Sequence, residues 1–391
     1  MTTPPLWLGR LTQAPAGHRR KSRQQARRFG TTASGQTWCA ASPYQTETII
    51  PAEVYVRGMD RFKAFRIREA GGKTEAGFTD CTLDELDPGD VVVRVSHSTI
   101  NYKDALAATG KGRILQRPQC IGGVDLAGTV VSSSDPRFKP GQGVLATGHA
   151  LGVKHDGGYA EYARLPGEWV HALPPGITAW DAMALGTAGF TAAFAILRME
   201  QNGLAPKNGP VIVDGATGGV GSVAIAALAR LGYEVVALTG KESEGDFLRG
   251  LGAKEVKMRG ELDLKKIRPL ERATYAGAVD NLGGEVLSWM LSSMKFGGTV
   301  AAIGLAASPS LNTTVMPFIL RGVSLLGINS SDVPTRAEHE EVWRRLSTDM
   351  RPPQLASMAR TIPFEALPSA FDDFIASRVK GRVVVGIGEK R

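Results

Sequence analysis

The sequence contains few cysteines: three among 391 residues, at Cys39, Cys81 and Cys120. They form no CxxC pair, and no cysteines and histidines stand together at the spacing of a zinc site. This scarcity excludes a disulfide framework and indicates a reducing compartment in which the thiols are structural.

Long apolar runs are also missing. We find no run of the roughly 18–20 apolar residues that a bilayer-spanning helix needs, so the sequence predicts a soluble protein with no membrane partner. Hydrophobic residues make up 43% and charged residues 21% of the chain, a balance typical of globular rather than disordered proteins. The length predicts two domains, with room for a tail.

Acidic residues are nearly absent from the first 58 residues, which hold eight Lys and Arg but only Glu47 and Glu53. This segment carries six of the eight net positive charges, whereas the following 333 residues hold 38 basic and 36 acidic residues. Because the body of the protein is nearly neutral, the net charge gives little support to a nucleic-acid partner. We therefore expect none.

The same segment, 1–58, shows no sustained helical or strand period, and we interpret it as a basic, disordered leader. Arg-rich, Ser-containing and acid-poor N-termini are typical of organellar transit peptides, which would place the protein in an organelle. The alternative, which we favour, is a leader without a targeting role before a domain that starts near Met59. That alternative predicts a cytoplasmic protein.

Two kinds of pattern follow the leader. Short apolar, β-branched runs separated by Gly and Pro turns predict a barrel-like β unit, and they lie at 63–67, 90–96, 122–131 and 144–146. From about residue 180 helical segments alternate with strands, which predicts βαβ units and a parallel sheet. A last strand-like run at 381–385 is expected to return to the first unit.

A glycine-rich turn, GATGGVG from Gly215 to Gly221, follows the apolar strand at 210–214 and opens an Ala-rich helix. Glycines let the backbone approach a pyrophosphate, and the helix N-terminus offers free N–H groups and a positive dipole end. In this context the motif predicts a dinucleotide site, although a glycine-rich turn without a ligand is the alternative.

The end of the second strand of this unit indicates which dinucleotide is bound. An NAD site needs an acidic residue there for the ribose 2′-hydroxyl, but the strand ends with Thr239, Gly240 and Lys241. A hydroxyl and an ammonium suit a 2′-phosphate, and Arg259 near the end of the next strand can add a second cation. The sequence therefore favours NADPH over NADH.

From Met59 onward the chain resembles the zinc-independent medium-chain dehydrogenase/reductase superfamily, and within it the acryloyl-CoA reductase group, formerly described as quinone oxidoreductase-like. The segments that carry this resemblance are STINYKDAL at 98–106, TGKGR at 109–113, GVDLAGT at 123–129, GTAGFTA at 186–192, the glycine motif, and TVMPFILR at 314–321.

The resemblance implies an α/β fold class with a GroES-like β-barrel catalytic domain and a Rossmann domain built on a doubly wound parallel sheet. The GroES-like catalytic domain is expected at 59–185 and 325–391, and the Rossmann NADPH-binding domain at 186–324. The active site would then lie in the cleft between the two domains.

The resemblance also implies a cofactor map. Tyr102 would flank the nicotinamide, and further positions would hold the pyrophosphate, the 2′-phosphate and the nicotinamide end. These positions are Thr217, Gly218, Gly219, Val220, Thr239, Gly240, Lys241, Arg259, Leu305, Ile319 and Ser330.

The implied activity is NADPH-dependent reduction of the C=C bond of acryloyl-CoA to propanoyl-CoA. Tyr102 is a candidate proton donor or orienting group, and bulk water is another candidate donor. Packing of Tyr102 against the nicotinamide ring alone is the alternative. Asn101 and Asp104 could orient Tyr102 or only cap the turn. The zinc ligands of zinc-dependent relatives are missing, so we expect catalysis without a metal.

Two rival functions stay open at this point. One is an NADPH:quinone oxidoreductase on the same fold, and the other is a non-catalytic nucleotide-binding protein of the lens-crystallin type. The resemblance further implies a small-molecule CoA thioester substrate and a homodimer, whose interface would lie at the Rossmann edge strand near 311–326.

Overall fold

Alternating apolar residues form short strands in the part of the chain before residue 175, as the sequence predicts. The computed structural model describes residues 61–333 and 335–388, so the leader predicted over 1–58 lies outside the described residues. The elements of this part are β1 (Phe62–Ala70), β2 (Lys73–Cys81), β3 (Val91–Thr99), α1 (Tyr102–Thr109), β4 (Gln119–Ile121), β5 (Asp125–Ser133), β6 (Gly143–Thr147), β7 (Tyr162–Leu165) and β8 (His171–Ala172).

A long helix, α2 (Ala179–Gln201), leads out of this β unit. It begins with a capping box, in which Thr178 Oγ1 accepts from the Asp181 N–H and an Asp181 carboxylate oxygen accepts from the Thr178 N–H, both at 3.0 Å. At Gly186 the backbone leaves the helical region, with φ 53° and ψ −159°. Glycine tolerates this conformation because it has no Cβ, so α2 is interrupted there.

The apolar character of α2 corrects one expectation. This helix is long enough to cross a membrane, and an 18-residue window within it has a mean hydropathy of 1.4. The prediction that no segment has that length and composition was therefore wrong for this helix. Because 89% of the window is buried inside the protein, α2 has the properties of a core helix, which passes the same test.

Strands and helices then alternate, as the sequence predicts. The elements are β9 (Val211–Val213), α3 (Gly219–Arg230), β10 (Val235–Thr239), α4 (Gly245–Gly250), β11 (Glu255–Met258), β12 (Tyr275–Asp280), α5 (Gly284–Ser292), β13 (Met294–Ala302), α6 (Met316–Arg321) and β14 (Ser324–Gly327). The six strands form a parallel sheet in the order β11-β10-β9-β12-β13-β14. The order reverses between β9 and β12, which is where such sheets bind ligands.

The C-terminal part of the described chain returns to the first unit. Its elements are α7 (Arg336–Ser347), α8 (Leu355–Met358), β15 (Ala359–Pro363), α9 (Leu367–Ile375) and β16 (Arg382–Gly386). The apolar face of α7, with Val342, Trp343 and Leu346, packs with residues of α2 in one hydrophobic core. This amphipathic pattern explains why the helix is visible in the sequence.

The first unit contains two sheets. One has the order β2-β1-β4, and the other has the order β15-β16-β3-β5-β6-β8, with β7 also paired to β3. Val384 of β16 lies opposite Thr99 of β3 in antiparallel register, so the returning strand completes the sheet as expected. This pairing places the residue that opens β16, Arg382, close to the loop that joins β3 and α1.

Candidate functional site

The turn after β9 brings two glycines into close contact. The Gly218 N–H donates to the Gly215 carbonyl at 2.9 Å, and a Cβ placed on Gly221 would lie only 2.4 Å from the same carbonyl oxygen. Any side chain at position 221 would force the turn open. The glycine loop therefore lies directly against the start of α3, with backbone that a pyrophosphate can approach.

The N-terminus of α3 carries no side-chain cap. Gly218 occupies the capping position and has no side chain that could accept a hydrogen bond, so the N–H groups of the first turn lack that partner. Uncapped helix N-termini bind anions through these N–H groups and the helix dipole. The predicted pyrophosphate residues Thr217, Gly218, Gly219 and Val220 lie together here, and the arrangement fits a pyrophosphate group.

The four residues predicted to hold a 2′-phosphate also lie together, at the end of β10. Thr239 Oγ1 accepts from the Lys241 N–H at 3.0 Å. A Cβ on Gly240 would lie 3.2 Å from Nη2 of Arg259, so this guanidinium stands beside the backbone of the strand end. A hydroxyl and two cations are thus placed where an NAD-binding protein has a carboxylate, and this set suits a phosphate.

A segment that the sequence analysis missed lies against these loops. Just before β16, the Gly381 N–H donates to the Thr217 carbonyl at 3.0 Å, and Lys241 Nζ donates to the Ser377 carbonyl at 2.7 Å. Lys380 forms an ion pair with Glu244 at 3.1 Å. We call residues 376–381 the C-terminal strap, because they connect β16 to both parts of the predicted cofactor site.

Tyr102 is the first residue of α1, and 48% of its surface is exposed. The preceding Asn101 caps the helix, and its N–H donates to the Asp104 carboxylate at 2.8 Å. Asp104 Oδ1 also accepts from the Val124 N–H at 3.2 Å. Asn101 and Asp104 therefore fix the turn that presents Tyr102, and the described contacts include none between their side chains and the phenol.

Behind this turn lies a buried polar network. Asn101 Nδ2 donates to Asp125 Oδ2 at 2.7 Å, and the Thr187 N–H donates to the same oxygen at 2.9 Å. Arg382 donates through Nη2 to Thr99 Oγ1 at 2.9 Å and through Nη1 to Asn101 Oδ1 at 3.4 Å. Arg382 also stands close to the glycine loop, since a Cβ on Gly219 would lie 2.8 Å from its Nη1.

Burial sets the electrostatics of this network. It raises the pKa of Asp104 to about 7, and the negative charge of Asp125 adds to the rise, while the hydrogen bond from the Asn101 N–H opposes it. Burial lowers the pKa of Arg382, and the two carboxylates act in the opposite direction. The network thus brings one buried cation near two buried carboxyl groups.

Ser330 lies next to the same region. Its hydroxyl is 2.6 Å from Thr191 Oγ1, and Lys103 Nζ donates to the neighbouring Ser331 hydroxyl at 3.4 Å. Because Lys103 directly follows Tyr102, these contacts bring the predicted nicotinamide residues Ser330 and Tyr102 into one neighbourhood.

The other two predicted nicotinamide residues stand apart from this group. Leu305 and Ile319 are 66% and 71% exposed, and no contact given for the described residues joins them to Tyr102. Leu305 follows β13 and Ile319 lies on α6, and a role at the nicotinamide stays a prediction for both.

Two buried carboxyl groups lie at the switch point of the parallel sheet and were not singled out from the sequence. Asp214 follows β9 and accepts from the Asn281 N–H at 2.5 Å, and Asp280 ends β12 and accepts from the Gly283 N–H at 2.9 Å. Burial, then the neighbouring Asp280, raises the pKa of Asp214. Through these hydrogen bonds the pair holds the loop at Asn281 against the glycine loop.

Some of the site residues that the sequence analysis missed lie within motifs that it had already identified. Asp125 and Thr187 stand within segments 123–129 and 186–192, which carry the family resemblance. Arg382 and the C-terminal strap have no local motif, because their importance comes from contacts with residues far away along the chain.

A β unit completed by a returning strand, beside a doubly wound parallel sheet with an uncapped glycine-loop helix, defines a two-domain dehydrogenase/reductase that binds a dinucleotide. Family comparisons agree with this class. The family model described as "Alcohol dehydrogenase GroES-like domain" matches residues 87–175, and the one described as "Zinc-binding dehydrogenase" matches residues 219–348.

Individual relatives are similar over most of the chain. Acrylyl-CoA reductase AcuI of Ruegeria pomeroyi is 45% identical over 82% of this chain and 96% of its own length. The yhdH oxidoreductase of Salmonella enterica, solved in complex with NADP, is 46% identical over 83% of this chain and 99% of its own, with a TM-score of 0.80.

A third relative is YhfP of Bacillus subtilis, whose name describes a quinone oxidoreductase. It is 43% identical over 83% of this chain and 98% of its own length, and its structure with NAD bound has a TM-score of 0.82 at 42% identity, covering 84% of this chain and all of its own. The chain therefore belongs to the medium-chain dehydrogenase/reductase superfamily, in the group of acrylyl-CoA reductases and quinone oxidoreductase-like proteins. The predicted fold class, a GroES-like domain with a Rossmann domain, is confirmed.

Proposed function

We propose that this protein reduces the C=C bond of acryloyl-CoA to propanoyl-CoA with NADPH. The observation that carries the proposal is the uncapped glycine-loop helix close to the Tyr102 turn, joined through the buried Arg382. Support comes from the acrylyl-CoA reductase of Ruegeria pomeroyi at 45% identity and from the NADP complex of the Salmonella oxidoreductase.

In the proposed cofactor site the backbone from Thr217 to Val220 holds the pyrophosphate. Thr239, Gly240, Lys241 and Arg259 hold the 2′-phosphate, and Tyr102, Leu305, Ile319 and Ser330 line the nicotinamide end. When NADPH is bound, it supplies the hydride that adds to the β-carbon of the enoyl thioester.

The chain's own groups have two tasks in this reaction. The thioester oxygen gains negative charge during hydride addition, and hydrogen-bond donors in the cleft stabilise it. The α-carbon then takes a proton, and a phenol is a donor at neutral pH. We assign this proton to Tyr102 Oη, with Asn101 and Asp104 as positioning residues that hold the turn at the start of α1. No zinc is required by this assignment.

A steady-state comparison tests the proposal. Purified protein with NADPH is assayed against acryloyl-CoA, crotonyl-CoA and a panel of quinones, and acryloyl-CoA is expected to have the highest kcat/KM. The name of YhfP favours the quinone reaction as the second candidate, so quinone turnover far above acryloyl-CoA turnover would overturn the proposal. Binding of NADPH without turnover of any substrate would favour the non-catalytic alternative.

The assignment to Tyr102 is tested separately. Tyr102→Phe keeps the ring but removes the hydroxyl, so kcat should fall while the Kd for NADPH stays unchanged. Tyr162→Phe is the matched control, because it removes a phenol hydroxyl on β7, outside the proposed site. Unchanged kcat in Tyr102→Phe would assign Tyr102 to packing alone.

We further propose the predicted domain ranges, 59–185 with 325–391 for the GroES-like domain and 186–324 for the Rossmann domain. We also propose a homodimer that uses the edge of the parallel sheet, where large hydrophobic side chains are exposed: Leu311, Val315 and Leu320. Light scattering of wild type and Leu320→Glu tests the dimer, with a monomer expected for the variant.

We also propose a cytoplasmic location. Imaging of a C-terminally tagged full chain in its native cell distinguishes this location from an organelle.

A further inference from the structure

Three histidines that are distant in the sequence meet in the first unit. His149 lies in the loop after β6, His171 lies on β8, and His339 lies on α7. One ring nitrogen from each can be chosen so that all three lie within 4.8 Å of one another. We call these residues the histidine cluster.

The cluster leaves its buried ring nitrogens without hydrogen-bond partners. These atoms are His149 Nε2, His171 Nδ1 and both ring nitrogens of His339. A buried polar atom without a partner costs free energy, so several of them at one place call for an explanation. His155 of the same unit is the contrast, because its two ring nitrogens lie 3.0 Å from the Asp156 carbonyl and 3.1 Å from the Pro88 carbonyl.

Among residues 61–333 and 335–388, none supplies a hydrogen-bond partner for these nitrogens. The Trp169 ring stacks on His149 at 5.4 Å, and the Phe190 ring stacks on His339 at 4.3 Å. His171 and His339 are only 4% and 3% exposed, so solvent hardly reaches either ring.

We propose that His149, His171 and His339 form a binding site for one transition-metal ion of the Zn²⁺ class. Neutral imidazole is a preferred ligand of Zn²⁺, Ni²⁺ and Cu²⁺, and three imidazoles with one water complete a tetrahedral Zn²⁺ shell. The ion takes up one lone pair from each histidine, which satisfies three nitrogens that the protein leaves without partners. The cluster shares no residue with the proposed cofactor site, and we assign it no part in the proposed hydride transfer.

Binding requires a defined local movement. The His171 and His339 rings are parallel within 7° with centroids 3.9 Å apart, whereas a metal ion lies near the plane of each imidazole that binds it. One of the two rings must therefore turn about its Cβ–Cγ bond, and the nitrogens must approach to about 3.4 Å for bonds of about 2.1 Å. The loop position of His149 lets it follow.

The charged groups that face the cluster are of opposite sign. Arg336 at the start of α7 and Arg137 carry positive charge, and Asp332 carries negative charge. An ion at the cluster would join the loop after β6, β8 and α7. We therefore expect it to stabilise the fold by mass action rather than to change the chemistry.

The test uses the full chain without an affinity tag, stripped with a chelator. Equilibrium dialysis against Zn²⁺ and the visible absorption of Co²⁺ measure stoichiometry and coordination, and thermal unfolding measures stability. Wild type should bind one Zn²⁺ per chain more than variants that lack a histidine of the cluster. It should also show the absorption bands of tetrahedral Co²⁺ and unfold at a higher temperature when Zn²⁺ is present.

Two variants locate the site. His149→Gln changes the half-buried loop position, and His339→Phe keeps a ring in the aromatic stack. Each should weaken Zn²⁺ binding at least about 100-fold, because loss of a ligand costs more than the 10–100-fold of a second-shell change. His97→Gln, a half-buried histidine outside the cluster, is the matched control and should bind as wild type. Equal Zn²⁺ affinity in His339→Phe and wild type, or no bound ion in folded wild type, would overturn the proposal.

Discussion

Two helix N-termini of this protein are built in opposite ways. α3 begins at the glycine loop with no side-chain cap, so its first N–H groups remain available. α1 begins at Asn101, where the Asp104 carboxylate accepts from the backbone N–H of the cap. The first N-terminus can bind an anion, whereas the second is already satisfied by the protein and serves to hold Tyr102 in place.

The two N-termini depend on different residues. The N-terminus of α3, which we call the open end, needs small residues and free backbone N–H groups, so a side chain at Gly221 would disrupt it directly. The N-terminus of α1, which we call the closed end, depends on Asp125 of β5 and Arg382 of β16. Arg382 stands beside both ends, so changes there should reach both.

The largest expected effect comes from Arg382→Met. This change leaves the buried Asp125 carboxyl without its nearby cation, and loss of one member of a buried charged pair costs about 3–5 kcal/mol. The free energy of unfolding, measured with urea, should fall by that amount. Arg378→Met is the control, because its ion pair with Asp373 is exposed and should cost at most about 1 kcal/mol. Equal losses in both variants would contradict a special role for the buried network.

Gly221→Ala tests the open end. The added Cβ would meet the Gly215 carbonyl at 2.4 Å and push the loop away from the pyrophosphate, so NADPH affinity should fall about 100-fold or more, which corresponds to about 2.7 kcal/mol. Fluorescence titration with NADPH measures it. Gly250→Ala, on α4 with no atom within 4 Å of the added Cβ, should bind normally, and wild-type affinity in Gly221→Ala would show that the loop is not the binding site.

Variants of the proposed 2′-phosphate site should have an effect that is selective for NADPH. Lys241→Ala combined with Arg259→Ala should raise the Kd for NADPH about tenfold or more and leave the Kd for NADH unchanged, because only NADPH has the 2′-phosphate. Lys254→Ala, an exposed lysine paired with Glu234, is the control. A parallel loss for both dinucleotides would contradict the assignment, and the NAD-bound YhfP structure makes this comparison informative.

The last test concerns a pH dependence at the N-terminus of α1. Because the pKa of Asp104 is raised from 3.8 to about 7 in the folded state, the folded protein binds more protons than the unfolded chain between these values. The contribution of Asp104 to stability therefore declines as pH rises from about 4 to about 7, and it is constant above that range.

Asp104→Asn removes this dependence. The stability of the variant relative to wild type should improve as pH rises from 5 to 7 and level off at pH 8, as measured by urea unfolding. Asp84→Asn changes an exposed carboxyl and serves as the control. If the difference in free energy of unfolding between Asp104→Asn and wild type did not change with pH in this range, the raised pKa of Asp104 would be contradicted.

The sequence predicted what local patterns determine. The glycine loop, the strand end at Thr239 and the alternation of strands and helices are all readable within short windows, and the family resemblance added Tyr102. Arg382, the C-terminal strap and the histidine cluster were missed because each depends on residues that meet only after folding. The length and apolar character of α2 were underestimated, and burial rather than composition identifies it as a core helix.

The C-terminal strap also has a consequence for biosynthesis. Gly381 and Ser377 contact the glycine loop and Lys241, and β16 completes the sheet of the first unit. A ribosome makes the Rossmann strands long before these residues, and domains fold as they emerge. The nascent parallel sheet therefore has an incomplete cofactor site. We expect it to bind the dinucleotide with full affinity only after the strap and β16 have left the exit tunnel.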